Sequence, residues 1–441
     1  MKTRIHNYIE EHREEMINLL KGLVKINSIG AESEEHAPFG RGCADILEYI
    51  EKIYAENGFE TELDSDGGYL LSYFGKGERN LGMFAHADTV AADDDWVYTT
   101  PFEPIEKDGF LIGRGVMDNK AAVVISLYCA KMLKELDIPF DSRLILFSGG
   151  NEETGMRDLT NYLNKHTPPE FSLVVDSGFP LYHGDKGILQ LMATSETEFK
   201  EIDDFSGGRD INIILGKASA KIGDKVVTEQ GISCHGALPQ GSVNAGYLLA
   251  ERIKGELNED RKQIELVSEI LKDYDGSVFG IEHEDEIFGN LTCTNGVIET
   301  RGKKLSLSLD IRYGTGIDAV DILKKIKKFF AKHNWTVDII SEKKPFLISS
   351  DNKYVKVCLK AYGDFCGEKN PPMYINAGAT YAGMLPCAAE VGTDPYGGKP
   401  EEMPEGHGAA HQPDECINID GFIKAAEIVM NMLIVCDKAG R

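Results

Sequence analysis

The sequence predicts an α/β protein of two domains: a mixed, mainly parallel sheet with flanking helices, and an α+β lid domain inserted into it. Three observations predict this. Apolar strand-like runs alternate with helical periodicity up to Gly184, the pattern of a parallel sheet covered by helices. The character then changes to charged, Gly-containing stretches (EIDDFSGGRD, KIGDKVVTEQG) and longer alternating strands. Finally, the α/β alternation resumes near Asn352–Tyr362. The expected boundaries are 1–184 and 348–441 for the two parts of the sheet domain and 185–347 for the insertion. A chain of 441 residues exceeds what one hydrophobic core ordinarily serves.

Taken in order, residues 6–25 carry helical periodicity, with Ile9, Met16, Ile17, Leu20, Leu23 and Val24 on one face. Strands are expected at Tyr69–Phe74, at LGMFA (81–85), at RLILFS (143–148) and at FSLVV (171–175). Helices are expected at Ala121–Leu136 and near Met156–Leu163. In the insertion, LTCTNGVIET and KKLSLSLDIRYG read as an antiparallel pair, Asp318–Asn334 as an amphipathic helix and WTVDIIS as a strand. A helix at Gly421–Cys436 closes the pattern.

Composition narrows the function. Hydrophobic residues make up 42% and charged residues 27% of the chain, an ordinary globular balance. The formal net charge of -25 repels nucleic-acid phosphates and anionic membranes, so neither is expected as a partner. The segment MKTRIHNYIEEHREEM lacks the apolar core of a signal peptide, and no stretch approaches transmembrane length. Nine cysteines, odd in number and without a CxxC pair, suit a reducing cytoplasm better than a disulfide framework.

The residues that bear chemistry follow the strands. Metal ligation needs imidazole nitrogen or carboxylate oxygen converging on one point, and in an open α/β sheet that point lies beyond the C-terminal strand ends. His86 follows LGMFA, and Asp88 two residues on can steady its ring, although a lone HxD also suits a solvated turn. Asp118, in GRGVMDNKAA, either ligates or caps the helix behind it. Glu152 and Glu153 follow RLILFS. Such a pair can divide labour between a ligand and a general base, or can merely open a helix. Asp176 ends FSLVV, where an acid does little for packing. His407 and His411, in GHGAAHQPDE, both offer to close the site.

AHADTV, GRGVMDNKAA, GGNEETG, VVDSGFP, CHGALPQ, DIRY, NAGATYAG and AHQPDE run in one order from about residue 80 to 415. As a set they resemble the zinc aminoacylase, carboxypeptidase G and peptidase V superfamily of metallopeptidases, and the length of the insertion is most like that of the peptidase V-type dipeptidases. The resemblance implies two divalent ions, zinc first and manganese or cobalt as alternatives. His86 and Asp176 would hold one ion, Glu153 and His411 the other, and Asp118 would bridge. Asp88 would orient His86, Glu152 would be the general base, His235 would stabilise an oxyanion, and Arg312 and Asn212 would meet the substrate from the lid. The implied activity is cleavage of the amide bond of a dipeptide. The alternatives are an N-acyl amino-acid deacylase of deacetylase or desuccinylase type and a non-catalytic metal-binding relative, the last disfavoured by Glu152. A small peptide or N-acyl amino acid is the expected partner. A monomer is favoured over a homodimer, since the long insertion can supply the surface that smaller relatives find by pairing their lids. The sequence departs from the family pattern at Asn119, where a second Asp at a cis peptide is common, at Gly383, where many relatives have Arg, and in CAAEVGTDPYGG.

Overall fold

The computed structural model describes residues 1–92 and 95–440, and the chain divides into two compact units. Unit 1 comprises Met1–Gly184, Ile348–Tyr374 and Thr380–Arg441, and unit 2 comprises Asp185–Leu347 and Ile375–Ala379. The short segment 375–379 therefore departs from the boundaries expected from the sequence. Its backbone explains why: Asn376 accepts from the Lys186 N–H at 2.9 Å, and the Ala377 carbonyl accepts from Arg312 Nη1 at 3.2 Å.

Unit 1 is built on a sheet containing β1 (Glu60–Asp64), β2 (Tyr69–Phe74), β3 (Asn80–His86), β4 (Arg143–Gly149), β5 (Phe171–Ser177) and β6 (Ala388–Gly392) in the order β1-β2-β4-β3-β5-β6. The central strands β4, β3, β5 and β6 are parallel, and β1 and β2 add antiparallel to one side. The parallel strands are buried almost throughout, which is why each reads as a continuous apolar run rather than an alternation. The register sets His86 beside Gly149 and Phe84 beside Val174, so the three strands that precede the candidate site residues end at one edge.

The flanking helices are α1 (Lys2–Glu11), α2 (Arg13–Val24), α3 (Arg41–Glu56), α4 (Lys120–Glu135), α5 (Arg157–Lys165), α6 (Lys353–Cys366) and α7 (Ile419–Ala439). The single periodic stretch 6–25 is two helices, broken at His12, where φ is -102° and ψ is 8°. The apolar face continues across the break, with Ile9, Met16, Ile17, Leu20, Leu23 and Val24 all buried. Helix α4 packs on β3 and β4 and is covered by α2 and α7. Its almost complete burial follows from a run, KAAVVISLYCAKML, whose apolar and small residues spread around the helix, with Lys120, Ser126 and Lys131 buried among them.

Unit 2 holds an antiparallel sheet in the order 225–230, 217–222, 204–207, 298–301, 304–313, 187–195, 335–343. Its apolar face packs against the helices Ala245–Ile253, Arg261–Lys272 and Ala319–Lys332. Asp318 caps the last of these by accepting from the Val320 N–H at 2.7 Å. LTCTNGVIET does pair with Lys304–Tyr313, but as two pieces, 292–294 and 298–301. Asn295 interrupts it by donating to the Val297 and Ser308 carbonyls, and Ser308 Oγ takes the Gly296 and Val297 N–H groups.

One buried carboxylate fixes the loop that precedes α4. Glu415 is fully buried and accepts from Arg114 Nη1 at 2.8 Å and from the N–H groups of Gly115, Met117 and Asp118 at 3.0–3.1 Å. Gly115 has φ +84°, a conformation glycine adopts freely and other residues rarely, and this lets the loop curl around the carboxylate. Glu415→Ala would strand the buried Arg114 and three donors. It should lower unfolding free energy by about 3–5 kcal/mol, read as a fall in the denaturant midpoint; a midpoint unchanged from wild type would contradict this account of the loop.

Candidate metal centre

His86 is the last residue of β3, Asp176 lies at the end of β5, and Glu152 and Glu153 lie in the turn that leaves β4. Asp118 arrives on the Glu415-anchored loop. It is not the helix cap that its position suggested: the cap position is Asn119, which makes no side-chain cap bond, and Asp118 points elsewhere. Glu152 and Glu153 likewise do not open a helix, since α5 begins only at Arg157, and both side chains are largely buried.

The Asp118 carboxylate stands between two imidazoles. Its Oδ1 is 3.0 Å from His86 Nε2 and its Oδ2 is 3.0 Å from His411 Nε2. Asp176 Oδ1 lies 3.6 Å from His86 Nε2, and Glu153 Oε2 lies 3.1 Å from His411 Nε2. Donor atoms therefore converge in two groups, His86–Asp118–Asp176 and Asp118–Glu153–His411, which share Asp118. Glu152 belongs to neither group. His407 is elsewhere, with Nδ1 at 2.7 Å from the buried Asp414, whose carboxylate also takes the Val97 and Tyr98 N–H groups.

The residues present fit divalent cations. Ligand atoms about 2.0–2.2 Å from a shared tetrahedral ion are roughly 3.3–3.6 Å from each other, close to the separations found here. Glu153 Oε1 is buried and has no hydrogen-bond partner, an arrangement that is costly unless a ligand completes it. Nitrogen and carboxylate oxygen without sulfur suit zinc, manganese or cobalt.

Neighbouring side chains hold the ligands. His86 Nδ1 meets the Asp88 backbone carbonyl at 3.0 Å and the Asp88 carboxylate at 3.4 Å. The Asp88 carboxylate is committed mainly to the next strand, accepting from the N–H groups of Glu152 and Glu153 at 3.0 and 3.1 Å. Asp88 thus steadies the imidazole chiefly through its backbone and the Glu152–Glu153 turn through its side chain. The Asp118–Asn119 peptide is cis. The Asn119 amide donates to Asp176 Oδ1 and the Val175 carbonyl, both at 2.7 Å, while its oxygen accepts from the His86 N–H at 3.2 Å. A carboxylate in that place would have no proton to give Asp176, so the departure from the family pattern keeps a working contact.

In unit 2, His235 is exposed, its Nδ1 accepts from the Ala237 N–H at 3.2 Å and its Nε2 faces Asn212. Asn212 Nδ2 is 3.4 Å from that Nε2. Arg312 is buried, and Asp310 grips its fork through Nε at 2.9 Å and Nη2 at 3.2 Å, the pairing that the sequence offered as the alternative to a substrate contact.

Sequence reasoning missed Asn119, Glu415, Arg114, Asp158 and Tyr381 as supports of the site. Arg114, Asn119, Tyr381 and Glu415 lie inside the motifs GRGVMDNKAA, NAGATYAG and AHQPDE, whereas Asp158 lies outside them all.

Electrostatics describe a centre short of positive charge. Burial alone would lower the His86 pKa, but Asp176, Asp118 and Asp88 outweigh it and hold the ring well above its ordinary value. Burial also opposes protonation of His411, yet Asp118 and Glu153 raise it to about 11. Glu153 is pushed up to about 7, by burial first and then by the charge of Asp118. Asp176 is pushed up to about 6 by burial, against the pull of His86. Imidazole ligates only when neutral, so loading the centre must displace protons held at neutral pH. Calorimetric titration of metal into the metal-free chain at pH 7, repeated in buffers of different ionisation enthalpy, should show release of about one proton per ion and weaker binding at lower pH. Binding without proton release would contradict the assignment of these histidines.

Comparison with known proteins agrees with this geometry. Residues 82–434 match peptidase family M20/M25/M40, a metal-dependent family. A Staphylococcus epidermidis protein named "Putative dipeptidase" is 26% identical over 467 residues, covering 96% of this chain and 97% of its own. "Putative dipeptidase YtjP" of Bacillus subtilis is 26% identical over 459 residues, covering 94% and 96%. Among solved structures, human carnosine dipeptidase 1 superposes with a TM-score of 0.66 at 14% identity, covering 100% of this chain and 99% of its own. The Saccharomyces cerevisiae dipeptidase Dug1p gives 0.65 at 14% identity, covering 99% of each. These two likenesses are of fold. The match over most of the chain shows that this protein belongs to peptidase family M20/M25/M40.

Proposed function

We propose that this protein is a co-catalytic two-metal dipeptidase in which Glu152 is the general base. The observation that supports it most is the Asp118 carboxylate, 3.0 Å from each of two imidazoles whose other neighbours are Asp176 and Glu153. Relatives named as dipeptidases over nearly the full length favour a dipeptide substrate. His86 and Asp176 would hold one ion and Glu153 and His411 the other, with Asp118 shared by the two groups and zinc the ion proposed.

When bound, the two ions would supply Lewis acidity, activating water and polarising the scissile carbonyl. Glu152 takes a proton from the attacking water and delivers it to the leaving amine. Asp88 holds the Glu152 backbone, so the base is placed by the same residue that steadies His86. His235, with Asn212 beside it, is proposed to stabilise the carbonyl oxygen as negative charge develops. Arg312, whose fork already meets Asp310 and the Ala377 carbonyl, is proposed to meet the free carboxylate of the dipeptide through its remaining N–H groups.

Two experiments test the reading. A panel of dipeptides, N-acetyl amino acids and N-succinyl diamino acids, each with and without a chelator, should show chelator-sensitive turnover of dipeptides that added zinc restores. Turnover confined to the acylated compounds would move the assignment to a deacylase, and full activity in a demonstrably metal-free sample would end the metal mechanism. Glu152→Gln should keep both ions and lower kcat roughly a hundredfold or more; loss of an ion instead would mean that Glu152 and Glu153 have exchanged roles.

A further inference from the structure

The turn that carries Glu152 has no ladder to hold it, yet three consecutive N–H groups are bound by buried carboxylates. Glu152 and Glu153 donate to Asp88, and Asn151 donates to Asp158 Oδ2 at 2.8 Å. Asp158 lies in the first turn of α5 and is fully buried. Its Oδ1 takes the Leu159 N–H at 2.7 Å, and its Oδ2 also accepts from the Tyr381 hydroxyl at 2.5 Å. Asn151 closes the turn on itself, its Oδ1 accepting from the Arg157 N–H and its carbonyl from the Met156 N–H.

Tyr381 comes from a short helical turn, Tyr381–Met384, far along the chain. It is fully buried, with its ring edge-on to Phe147 at 5.4 Å and to His86 at 6.5 Å. Gly149 makes room for the contact. A Cβ there would fall 1.9 Å from the Tyr381 hydroxyl oxygen and 2.3 Å from Asp158 Oδ2, so the first glycine of GGNEETG is required by this pair. Burying a carboxylate is costly, and burial together with the charge of Asp88 pushes Asp158 up to about 7. A neutral side chain could stabilise the fold at that place more cheaply. What the carboxylate adds is direction, since it joins the turn, α5 and Tyr381 at one atom pair.

We propose that Tyr381 and Asp158 are positioning residues for Glu152, setting the height of its turn over the metal centre. The inference rests on Glu152 as the general base. Proton transfer needs heavy-atom separations of about 2.6–3.2 Å, and a misplacement of about 1 Å can cost a hundredfold. Asp88 fixes the turn at Glu152 and Glu153. Asp158 fixes it one residue earlier, and the Tyr381 hydroxyl keeps Asp158 from turning away. Two anchors on opposite sides of Glu152 define its position where one would leave a pivot.

The test uses the full-length, metal-loaded chain. Tyr381→Phe removes one oxygen and keeps the ring packing. It should lower kcat about tenfold with KM and metal content unchanged, and should cost less than about twofold when introduced into Glu152→Gln, since its effect acts through the base. Peptides spanning 149–157 should exchange amide hydrogens faster than in wild type. Asp158→Asn, which keeps the shape and an acceptor, should show the same dependence on Glu152 should Tyr381→Phe not fold. A kcat within twofold of wild type, an equal cost in both backgrounds, or loss of metal would each overturn the proposal. If wild type turns over nothing in the substrate panel, the dipeptidase reading falls by itself. Hydrogen exchange then decides the brace: faster exchange in Tyr381→Phe supports it, and unchanged protection across 149–157 overturns it.

Discussion

Everything around the candidate centre is arranged to keep one carboxylate still between two imidazoles. Asp118 belongs to no regular element, and its place is set by Glu415, which binds its own N–H and those of Gly115 and Met117. That dependence explains a fully buried Arg114–Glu415 pair beneath a loop. Desolvating two charges seldom adds net stability, but here the pair holds three backbone donors and so fixes the loop that presents Asp118. The sheet contributes the remaining precision, because parallel strands in register end together and offer their next residues to a common point.

The same crowding creates an electrostatic debt. Asp88, Asp118, Glu153 and Asp176 share a small volume with two imidazoles, and like charges at such separations repel strongly in a poorly solvated place. The chain lightens this by neutral donors. Asn119 gives Asp176 an amide proton, Asp88 spends its charge on two backbone N–H groups, and Asp158 takes two more together with a phenol. What is left over falls on His86 and His411, and cations would replace the protons those rings hold.

Much of this was legible in the sequence, and the reason lies in burial. Strands buried on both faces read as unbroken apolar runs, so β3 and β4 were found to within one residue and β5 to within two, and with them the positions of His86, Glu152, Glu153 and Asp176. The two-piece pairing of LTCTNGVIET was not legible, because it depends on Asn295 and Ser308 meeting across the sheet. Nor was the allocation of 375–379, which rests on backbone carbonyls that every sequence has. The supports of the site were hidden for the same reason. Asp158 reads as a helix-opening acid and Tyr381 as a core aromatic until their oxygens are seen on one another, and Gly149 as a turn glycine until its missing side chain is seen to leave their room. Asp88 was expected to steady a ring with its carboxylate, and a backbone carbonyl, invisible to residue typing, takes most of that work.

The allocation of Ile375–Ala379 to unit 2 changes what a domain means in this chain. The polypeptide passes between the two units at 184–185, 347–348, 374–375 and 379–380, so the inserted region is not a simple cassette. A fragment cut at 185 and 347 would leave the Lys186 N–H without the Asn376 carbonyl and Arg312 Nη1 without that of Ala377. Swapping or grafting the insertion among relatives therefore has to carry a second, non-contiguous stretch of chain, and evolutionary exchange of this region by a single recombination event would meet the same obstacle.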